Sequence, residues 1–227
     1  ERTVPFVVGN DDGQKKRTGD RERVDYNAAL LFEDGEIVET YRKLHLVPFT
    51  EYYPNWAPKF IRRLLLDFDI HFWERGEELT VFDANGVHFS TPICFEDSFG
   101  YLSRDFINSG AQVIVNITND GWSKSVSAEM QHFAMAVFRA SENRRSVVRA
   151  ANSGITAIIE PSGRVAAKLE PFVEGRLIGN VPVFDSATTF YTLAGDWLGE
   201  AVTVAALLLA AGAVGTALWR RRMHHVR

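Results

Sequence analysis

The stretch Val87–Asp97, VHFSTPICFED, contains the only cysteine of the chain and places it after an apolar run and before two acids. The apolar segment Leu79–Asp83 is separated from Val87–Ile93 by Ala84-Asn85-Gly86. An Asn-Gly pair between two such runs predicts a hairpin. We therefore expect Cys94 at the end of a strand.

Helical and strand patterns alternate downstream of Cys94. Phe99–Ser109 is predicted to be a helix that Gly110 caps, and Gln112–Thr118 (QVIVNIT) is a nearly continuous apolar run. Such a run is typical of a strand that is covered on both faces. Ala128–Arg145 carries the strongest helical pattern. The remaining predicted strands are Ser146–Ala151, Thr156–Ile159, Val165–Leu169 and Leu177–Val183.

The part of the chain before residue 79 is mostly strand-like. Its predicted segments are a short buried strand at Thr3–Gly9, a polar loop at Asn10–Arg23, a hairpin of Asp25–Phe32 with Glu36–Tyr41, an irregular Lys43–Pro58, and mixed helical spacing in Phe60–Phe72. Strands that helices interrupt indicate an α/β domain built in layers.

Composition limits the class of protein. With 227 residues, of which 46% are hydrophobic and 12% aromatic, the chain can bury a substantial core and is not expected to be disordered. The formal net charge of −4 gives no reason to expect nucleic acid as a partner. The histidines His45, His88 and His132 lack the spacing of metal ligands, so no metal site is predicted.

The end of the chain changes character. Ala201–Trp219 is a run of 19 residues without a charge, which as a helix would span roughly 28 Å, close to the hydrocarbon thickness of a bilayer. Flanking Trp197 and the following Arg220-Arg221-Arg222 favour a membrane span over the alternative of a buried core helix. By the positive-inside rule the tail is cytoplasmic. We predict an extracytoplasmic domain at 1–196, a transmembrane helix at 197–219 and a cytoplasmic basic tail at 220–227.

Cys94 is the candidate nucleophile. A thiol reacts as its thiolate, and Lys43, in the segment YRKLHLVPFTEYYP, could supply a positive charge that favours the thiolate and later stabilises an oxyanion. Glu51 and Glu96 could orient that ammonium group or transfer protons. The residues alone leave a structural role open, because single buried cysteines usually act as small hydrophobic side chains.

Three motifs carry a resemblance to a known family: YRKLHLVPFTEYYP at 41–54, PICFED at 92–97 and NITNDGW at 116–122. In this order and separation they resemble the nitrilase, or carbon–nitrogen hydrolase, superfamily over nearly all of residues 1–185. The resemblance implies an α-β-β-α sandwich and a Glu-Lys-Cys catalytic triad.

A narrower resemblance points to the membrane-bound branch of that superfamily, the apolipoprotein N-acyltransferase family. The lysine segment at 41–54, the helix and hairpin at 129–165, and the ending FYTLAGDWLG at 190–199, which leads directly into the apolar run, are similar to that branch. Soluble nitrilases lack such an ending.

The resemblance assigns roles to individual residues. Cys94 is implied as the nucleophile, Lys43 as the triad lysine that stabilises the tetrahedral intermediate, and Glu51 as an additional essential glutamate that positions Lys43. The backbone N–H of Phe95 would complete the oxyanion hole, and Glu96 matches the acid after the nucleophile. Phe95 replaces a common tyrosine, so no role of that hydroxyl is carried over.

One family residue has no counterpart here. The general-base glutamate of the family precedes the first strand found in this sequence, and none of the 227 residues matches it. We therefore expect a C-terminal piece of a longer multi-pass protein, inactive by itself. Trp122 is predicted either to line an acyl-chain pocket or to cap the core.

The implied reaction is a ping-pong acyl transfer without metal or organic cofactor. A phospholipid would acylate Cys94 as a thioester, and the N-terminal amine of the lipid-modified cysteine of an apolipoprotein would accept the acyl group. The implied location is the bacterial cytoplasmic (inner) membrane, with the catalytic domain on the periplasmic side. Two alternatives stay open: an amidase or nitrilase that hydrolyses a small C–N substrate, and a membrane-tethered binding domain without catalysis.

Overall fold

A computed structural model of the chain describes residues 4–15, 23–58, 60–61, 72–184 and 188–225. Two units can be separated, Glu1–Thr192 and Leu193–Arg227. The first contains a three-stranded antiparallel sheet in the order β1-β2-β3, formed by β1 (Phe6–Gln14), β2 (Val24–Glu33) and β3 (Glu36–Arg42).

A second sheet in this unit has six strands in sequence order. They are β4 (Val81–Ala84), β5 (Val87–Ser90), β6 (Val113–Asn119), β7 (Ser146–Asn152), β8 (Ala157–Ile159) and β9 (Val165–Lys168). Strands β5, β6 and β7 are parallel, and the outer pairs are antiparallel. The apolar run predicted to be covered on both faces is β6, in the middle of this sheet.

Both predicted hairpins are confirmed, and their turns have the backbone that a tight hairpin needs. Asp34 and Gly35 have φ of 51° and 85°, and Asn85 and Gly86 have φ of 54° and 81°. Two successive left-handed residues match the twist of the flanking strands, and glycine adopts this conformation without steric cost.

Helices connect the parallel strands, as parallel pairing requires. A 3-10 turn, Cys94–Ser98, and helix α1 (Gly100–Asn108) lead from β5 to β6, and α2 (Val126–Asn143) leads from β6 to β7. Helix α2 starts and ends two residues earlier than predicted. It ends at Asn143 because Arg144 takes the left-handed conformation, with φ of 50°, and closes the helix.

The two sheets share one hydrophobic core. The cluster includes Leu31 and Tyr41 from the first sheet, Phe82 and Ile114 from the second, and Phe106 from α1. The rings of Tyr41 and Phe106 meet edge to face with centroids 5.5 Å apart. This shared core holds the end of β3 near the start of α1, which is where the Cys94 turn lies.

Three predictions of local structure were wrong. The strand predicted at Thr3–Gly9 was expected to be buried, but β1 is mostly exposed, because it lies at the edge of the three-stranded sheet. Asn10–Gln14, predicted as part of a loop, continues β1, because an edge strand with an exposed face tolerates polar residues. Leu177–Val183 forms no strand, and its apolar Ile178 is exposed rather than turned to the core. The mixed segment Phe60–Phe72 lies almost entirely outside the described residues.

In the second unit, α3 (Phe190–Ala194), which begins at the end of the first unit, is followed by the long helix α4 (Trp197–His225). Within α4, Trp197–Thr216 is a stretch of 20 residues with a mean hydropathy of 1.8, and none of it is buried. Among the described residues it is the one helix long and apolar enough to cross a membrane.

Candidate active site

Cys94 lies at a sharp bend in the backbone. It is the first residue of the 3-10 turn and has φ of 53°, a left-handed conformation that a residue with a side chain rarely takes. Such a conformation costs of order 1–3 kcal/mol and persists only where the surroundings impose it. The residues just before the bend are held: Ile93 forms a parallel bridge with Ile117, and the Ile117 N–H donates to the Pro92 carbonyl.

Lys43 is fully buried and paired with Glu51. Its Nζ lies 2.7 Å from each carboxylate oxygen of Glu51. The Val47 N–H (2.8 Å) and the Asn27 side-chain amide (3.2 Å) also donate to Glu51. The compact turn after Val47 brings Glu51 back over Lys43, so the two residues that sequence analysis paired are in direct contact.

Glu96 connects this lysine segment to the cysteine turn. Its carboxylate accepts from the backbone N–H groups of Leu44 (2.7 Å), His45 (2.9 Å) and Ile93 (2.8 Å), and the Tyr41 hydroxyl lies 2.9 Å from both oxygens. Burial raises the pKa of Glu96, and the N–H groups of Ile93 and His45 oppose this increase. One carboxylate therefore binds the neighbours of Lys43 and the neighbour of Cys94. We call this set of contacts, together with the Lys43–Glu51 pair, the Lys43 face of the turn.

Two other predicted site residues are on the surface. The Phe95 side chain is 40% exposed and packs edge to face against Phe99, with centroids 5.2 Å apart. Trp122 is 77% exposed, so it does not cap the core. Its place in the turn after β6 leaves the predicted role at an acyl-chain pocket open.

Sequence analysis missed a second set of contacts, which we call the Arg149 face of the turn. Arg149, fully buried in β7, donates to Asp97 in the turn, to Asp120 (2.8 Å) and to the Asn116 oxygen (3.0 Å). His132 lies between the two acids, with Nδ1 2.9 Å from Asp120 and Nε2 2.8 Å from Asp97. Two cations and two anions thus form a buried group without net charge.

Titration of the Arg149 face follows from these contacts. Burial lowers the pKa of His132, but its hydrogen bonds to Asp120 and Asp97 outweigh this and raise the pKa to about 10. Burial raises the pKa of Asp120, but the interactions with His132 and Arg149 outweigh this and hold the pKa at about 2. Both groups are therefore charged around neutral pH.

Glu129 extends the Arg149 face toward the loop of Trp122. It accepts from the Ser123 hydroxyl at 2.5 Å, and its other oxygen has no hydrogen-bond partner among the described residues. Burial raises its pKa, the Ser123 hydrogen bond opposes this, and nearby Asp120 raises it further. Gly154 is required here for space, because a Cβ atom would lie 2.4 Å from an Asp120 oxygen.

In the described part of the chain, no group of three His, Cys, Asp or Glu side chains is arranged so that it could hold a metal ion. Both ring nitrogens of His132 face carboxylates. His45 contacts the Tyr101 hydroxyl, and His88 lies near Asp83.

The arrangement provides a thiol at a strained bend and a buried ammonium–carboxylate pair tied to that bend through a shared carboxylate. The described residues account for two of the three N–H bonds of the Lys43 ammonium, both directed at Glu51. A third donor is therefore available for an oxyanion. This geometry is suited to nucleophilic acyl chemistry.

Known proteins resemble the chain over most of its length. Apolipoprotein N-acyltransferase 1 of Treponema pallidum (strain Nichols) is 48% identical over 97% of this chain and 42% of its own length. Apolipoprotein N-acyltransferase of Geobacter metallireducens is 37% identical over 96% of this chain and 40% of its own length. The chain thus spans about two fifths of the length of these curated relatives.

A solved structure supports the fold. The crystal structure of Saccharomyces cerevisiae Nit3, a member of branch 10 of the nitrilase superfamily, matches with a TM-score of 0.53 at 20% identity and covers 72% of this chain and 55% of the yeast chain. At that identity the match shows the nitrilase-like α/β architecture alone. The family model for carbon-nitrogen hydrolases matches residues 6–190, which include both sheets, the Lys43–Glu51 pair and the Cys94 turn, so this chain belongs to the carbon-nitrogen hydrolase family.

Proposed function

We propose that this chain is the catalytic part of an apolipoprotein N-acyltransferase, which moves a fatty acyl group from a phospholipid to the N-terminal amine of a lipid-modified cysteine on an apolipoprotein. The observation that carries the proposal is the tie, through Glu96, between the buried Lys43–Glu51 pair and the strained Cys94 turn. The names of the most similar relatives support the choice of acceptor and reaction.

Each site residue has a role in this proposal. Cys94 is the nucleophile, Lys43 stabilises the oxyanion, and Glu51 holds the Lys43 ammonium in place by its two contacts of 2.7 Å. The Phe95 N–H is the second oxyanion donor, at the residue that follows the nucleophile. Glu96 fixes the spacing of the two segments, because it binds the backbone on either side of the site.

The reaction proceeds in two balanced halves. The Cys94 sulfur attacks the ester carbonyl carbon of the phospholipid, and the tetrahedral oxyanion collapses by breaking the carbon–oxygen bond. The lysophospholipid leaves with the proton that the thiol gave up, and a thioester remains on Cys94. The apolipoprotein amine then attacks the thioester, loses a proton to the departing sulfur, and leaves as an amide with the free thiol restored.

The long helix α4 supports a position at the bilayer. Its stretch Trp197–Thr216 is apolar and unburied, and both proposed substrates are lipids, so a membrane anchor in the same chain would keep the domain at the membrane that holds them. We assign residues 1–196 to the extracytoplasmic catalytic domain, 197–219 to the membrane helix and 220–227 to the cytoplasmic tail. The arginines at 220–222 support a cytoplasmic tail by the positive-inside rule.

The first test is the acyl-enzyme itself. The protein encoded by the complete gene, in proteoliposomes with phospholipid as the probe, should gain the mass of one acyl chain on Cys94 in intact-mass spectrometry. Cys94→Ala should gain none, whereas the control His88→Ala, at an exposed side chain on β5, should behave like the wild type. An acyl adduct on Cys94→Ala would exclude the nucleophile assignment.

A second test separates transfer from hydrolysis. The acylated protein is given either a lipid-modified peptide with a free N-terminal amine or a soluble amide substrate without lipid. The proposal expects an amide product from the lipid-modified peptide and no turnover of the soluble amide. Rapid hydrolysis of the soluble amide, with no acyl peptide formed, would instead identify an amidase of the same family.

A further inference from the structure

The strained backbone of Cys94 is held by one side chain from the neighbouring strand. Asn116, fully buried in the middle of β6, donates through its Nδ2 to the Pro92 carbonyl (3.1 Å) and to the Cys94 carbonyl (3.3 Å). These two acceptors lie on either side of Ile93 and include the nucleophile's own carbonyl. The Asn116 amide therefore holds the bend from β6. A second contact, from the Ile93 N–H to the Glu96 carboxylate, holds the bend from within the cysteine turn.

The clamp works in only one orientation of the amide. The two ends of an asparagine amide have the same shape, so an unsupported amide can turn and present oxygen where nitrogen is needed. Two carbonyl oxygens facing the Asn116 oxygen would repel it. The orientation of this amide must be fixed by what lies at its other end.

Arg149 fixes that orientation. Its Nη1 donates to the Asn116 oxygen at 3.0 Å. A guanidinium group carries donors only, so it can bond the oxygen end of the amide but not the NH₂ end. The same Nη1 donates to Asp97, three residues after Cys94. Arg149 therefore reaches the cysteine turn by two routes, through Asn116 to the carbonyls at its start and through Asp97 to its interior.

The Arg149 guanidinium is itself held by the rest of the Arg149 face. Asp97 and Asp120 each pair with both Arg149 and His132, so the two carboxylates balance the two cations inside the protein. Neither Asn116 nor Arg149 contacts the Cys94 sulfur in the contacts described above. Any effect of these two residues on the thiol must therefore pass through the backbone of the turn.

We propose that Asn116 and Arg149 are positioning residues for Cys94, with Arg149 orienting the Asn116 amide and the amide holding the nucleophile in its left-handed backbone conformation. The inference rests on the proposed function for its substrate assay, but the reactivity of the thiol can be measured without any lipid. Loss of the amide donor lets the bend relax and moves the sulfur away from the Lys43 face.

The decisive variant is Asn116→Asp, which keeps the shape and the oxygen toward Arg149 but removes the Nδ2 donor. In the protein encoded by the complete gene, the rate of Cys94 alkylation by iodoacetamide and the rate of thioester formation from phospholipid should both fall, the latter by about 10²-fold, the cost of a misplaced reacting group. The change should appear in the rate of acylation and not in the phospholipid concentration at half-saturation.

The matched control is Asn143→Asp, the same change at another fully buried asparagine. Asn143 donates through Nδ2 to the Arg139 carbonyl (3.1 Å) within α2, its oxygen accepts from the Thr192 hydroxyl, and neither contact is with a residue of the cysteine turn. This control should lose comparable thermal stability but keep the wild-type alkylation rate. A purely structural role for Asn116 predicts that the two variants behave alike, and that result would overturn the inference.

Arg149→Lys supplies the second measurement. A lysine keeps the charge toward the two acids but lacks the planar fork that also reaches the Asn116 oxygen. Alkylation should slow in this variant, and the double variant with Asn116→Asp should be slowed by less than the two single effects combined, because part of the effect of Arg149 passes through the same amide. Additive effects would refute the proposed route. If the wild type is alkylated at Cys94 but forms no thioester, the proposed function fails while the alkylation series still tests the positioning role.

Discussion

Two adjacent acids of the cysteine turn reach different parts of the molecule and are stabilised by different means. Glu96 is bound by neutral donors, three backbone N–H groups and a tyrosine hydroxyl. Asp97 is bound by charged partners, Arg149 and His132. The Lys43 face therefore places an ammonium group beside a carboxylate, whereas in the Arg149 face two cations and two anions balance one another.

The difference separates the contacts that we propose hold the Cys94 bend from those that we propose take part in the chemistry. In the Arg149 face, Arg149 and His132 are bonded to Asp97 and Asp120, whereas Arg149 Nε and one Glu129 oxygen have no hydrogen-bond partner among the described residues. The four bonded groups form a network of ion pairs that resists movement. The Lys43 face keeps a donor of Lys43 free among the described contacts, so it can respond to a developing negative charge. Substitutions on the two faces should accordingly separate stability from activity.

The largest stability effect is expected on the Arg149 face. Arg149→Met leaves Asp97 and Asp120 buried with only His132 to balance them, and breaking a buried ion pair typically costs about 3–5 kcal/mol. Urea unfolding in detergent, followed by tryptophan fluorescence, should show a loss of this size. A loss below about 1 kcal/mol would mean that the Arg149 face does not stabilise the fold.

The largest effect on activity at small cost in stability is expected on the Lys43 face. Lys43→Met removes an oxyanion donor, and the acylation rate should fall about 10²–10³-fold. Glu51 is partly exposed and keeps its hydrogen bonds from Val47 and Asn27, so the fold should lose less than with Arg149→Met. Single-turnover acylation and urea unfolding of the same sample measure both quantities. The comparison of faces fails if Lys43→Met lowers stability more than Arg149→Met.

A smaller effect is expected where the Lys43 face meets the turn. Glu96→Gln replaces a carboxylate oxygen with an NH₂ group that faces other donors, and one buried unsatisfied contact costs about 1–3 kcal/mol. Because Glu96 sets the spacing between the lysine segment and the turn, both the free energy of unfolding and the acylation rate should fall. An unchanged acylation rate would show that the spacing tolerates this loss.

The smallest effects concern pH. The pKa of His132 is raised from 6.5 to about 10 on folding, so its stabilisation is complete below pH 6.5 and is lost as pH rises toward 10. The pKa of Asp120 is lowered from 3.8 to about 2, so its stabilisation is present above pH 3.8 and is lost as pH falls toward 2. Burial raises the pKa of Glu96, so ionised Glu96 lowers the stability of the fold at neutral pH, and this cost is relieved as pH falls.

The test is a comparison of unfolding free energies from pH 6.5 to pH 10. The wild type should lose stability over this interval, and His132→Gln should lose less, because the variant has no imidazole to deprotonate. Equal slopes in the two proteins would mean that His132 is not held in its charged form by Asp97 and Asp120.

Much of the local structure followed from the sequence. The Asn-Gly and Asp-Gly turns, the apolar run of β6 and the helical stripe of α2 are patterns within single segments, and the fold confirms them. The Lys43–Glu51 contact was expected from family resemblance, and its two residues are only eight positions apart. The errors fell where local pattern is ambiguous, in the polar half of β1 and in the apolar residues of Leu177–Val183.

By itself the sequence determined strand β5 that leads to the Cys94 turn, the apolar helix α4 and the candidate residues for acyl chemistry, because these depend on residue type, short-range periodicity and motif resemblance. Tertiary structure alone decided that Arg149 in β7, Asn116 in β6 and Asp97 in the turn would meet. A charge within an apolar strand such as SVVRAAN was the one available signal, and it does not name a partner. Arg149 and Asp97 are 52 positions apart, and only the parallel pairing of β5, β6 and β7 makes them neighbours.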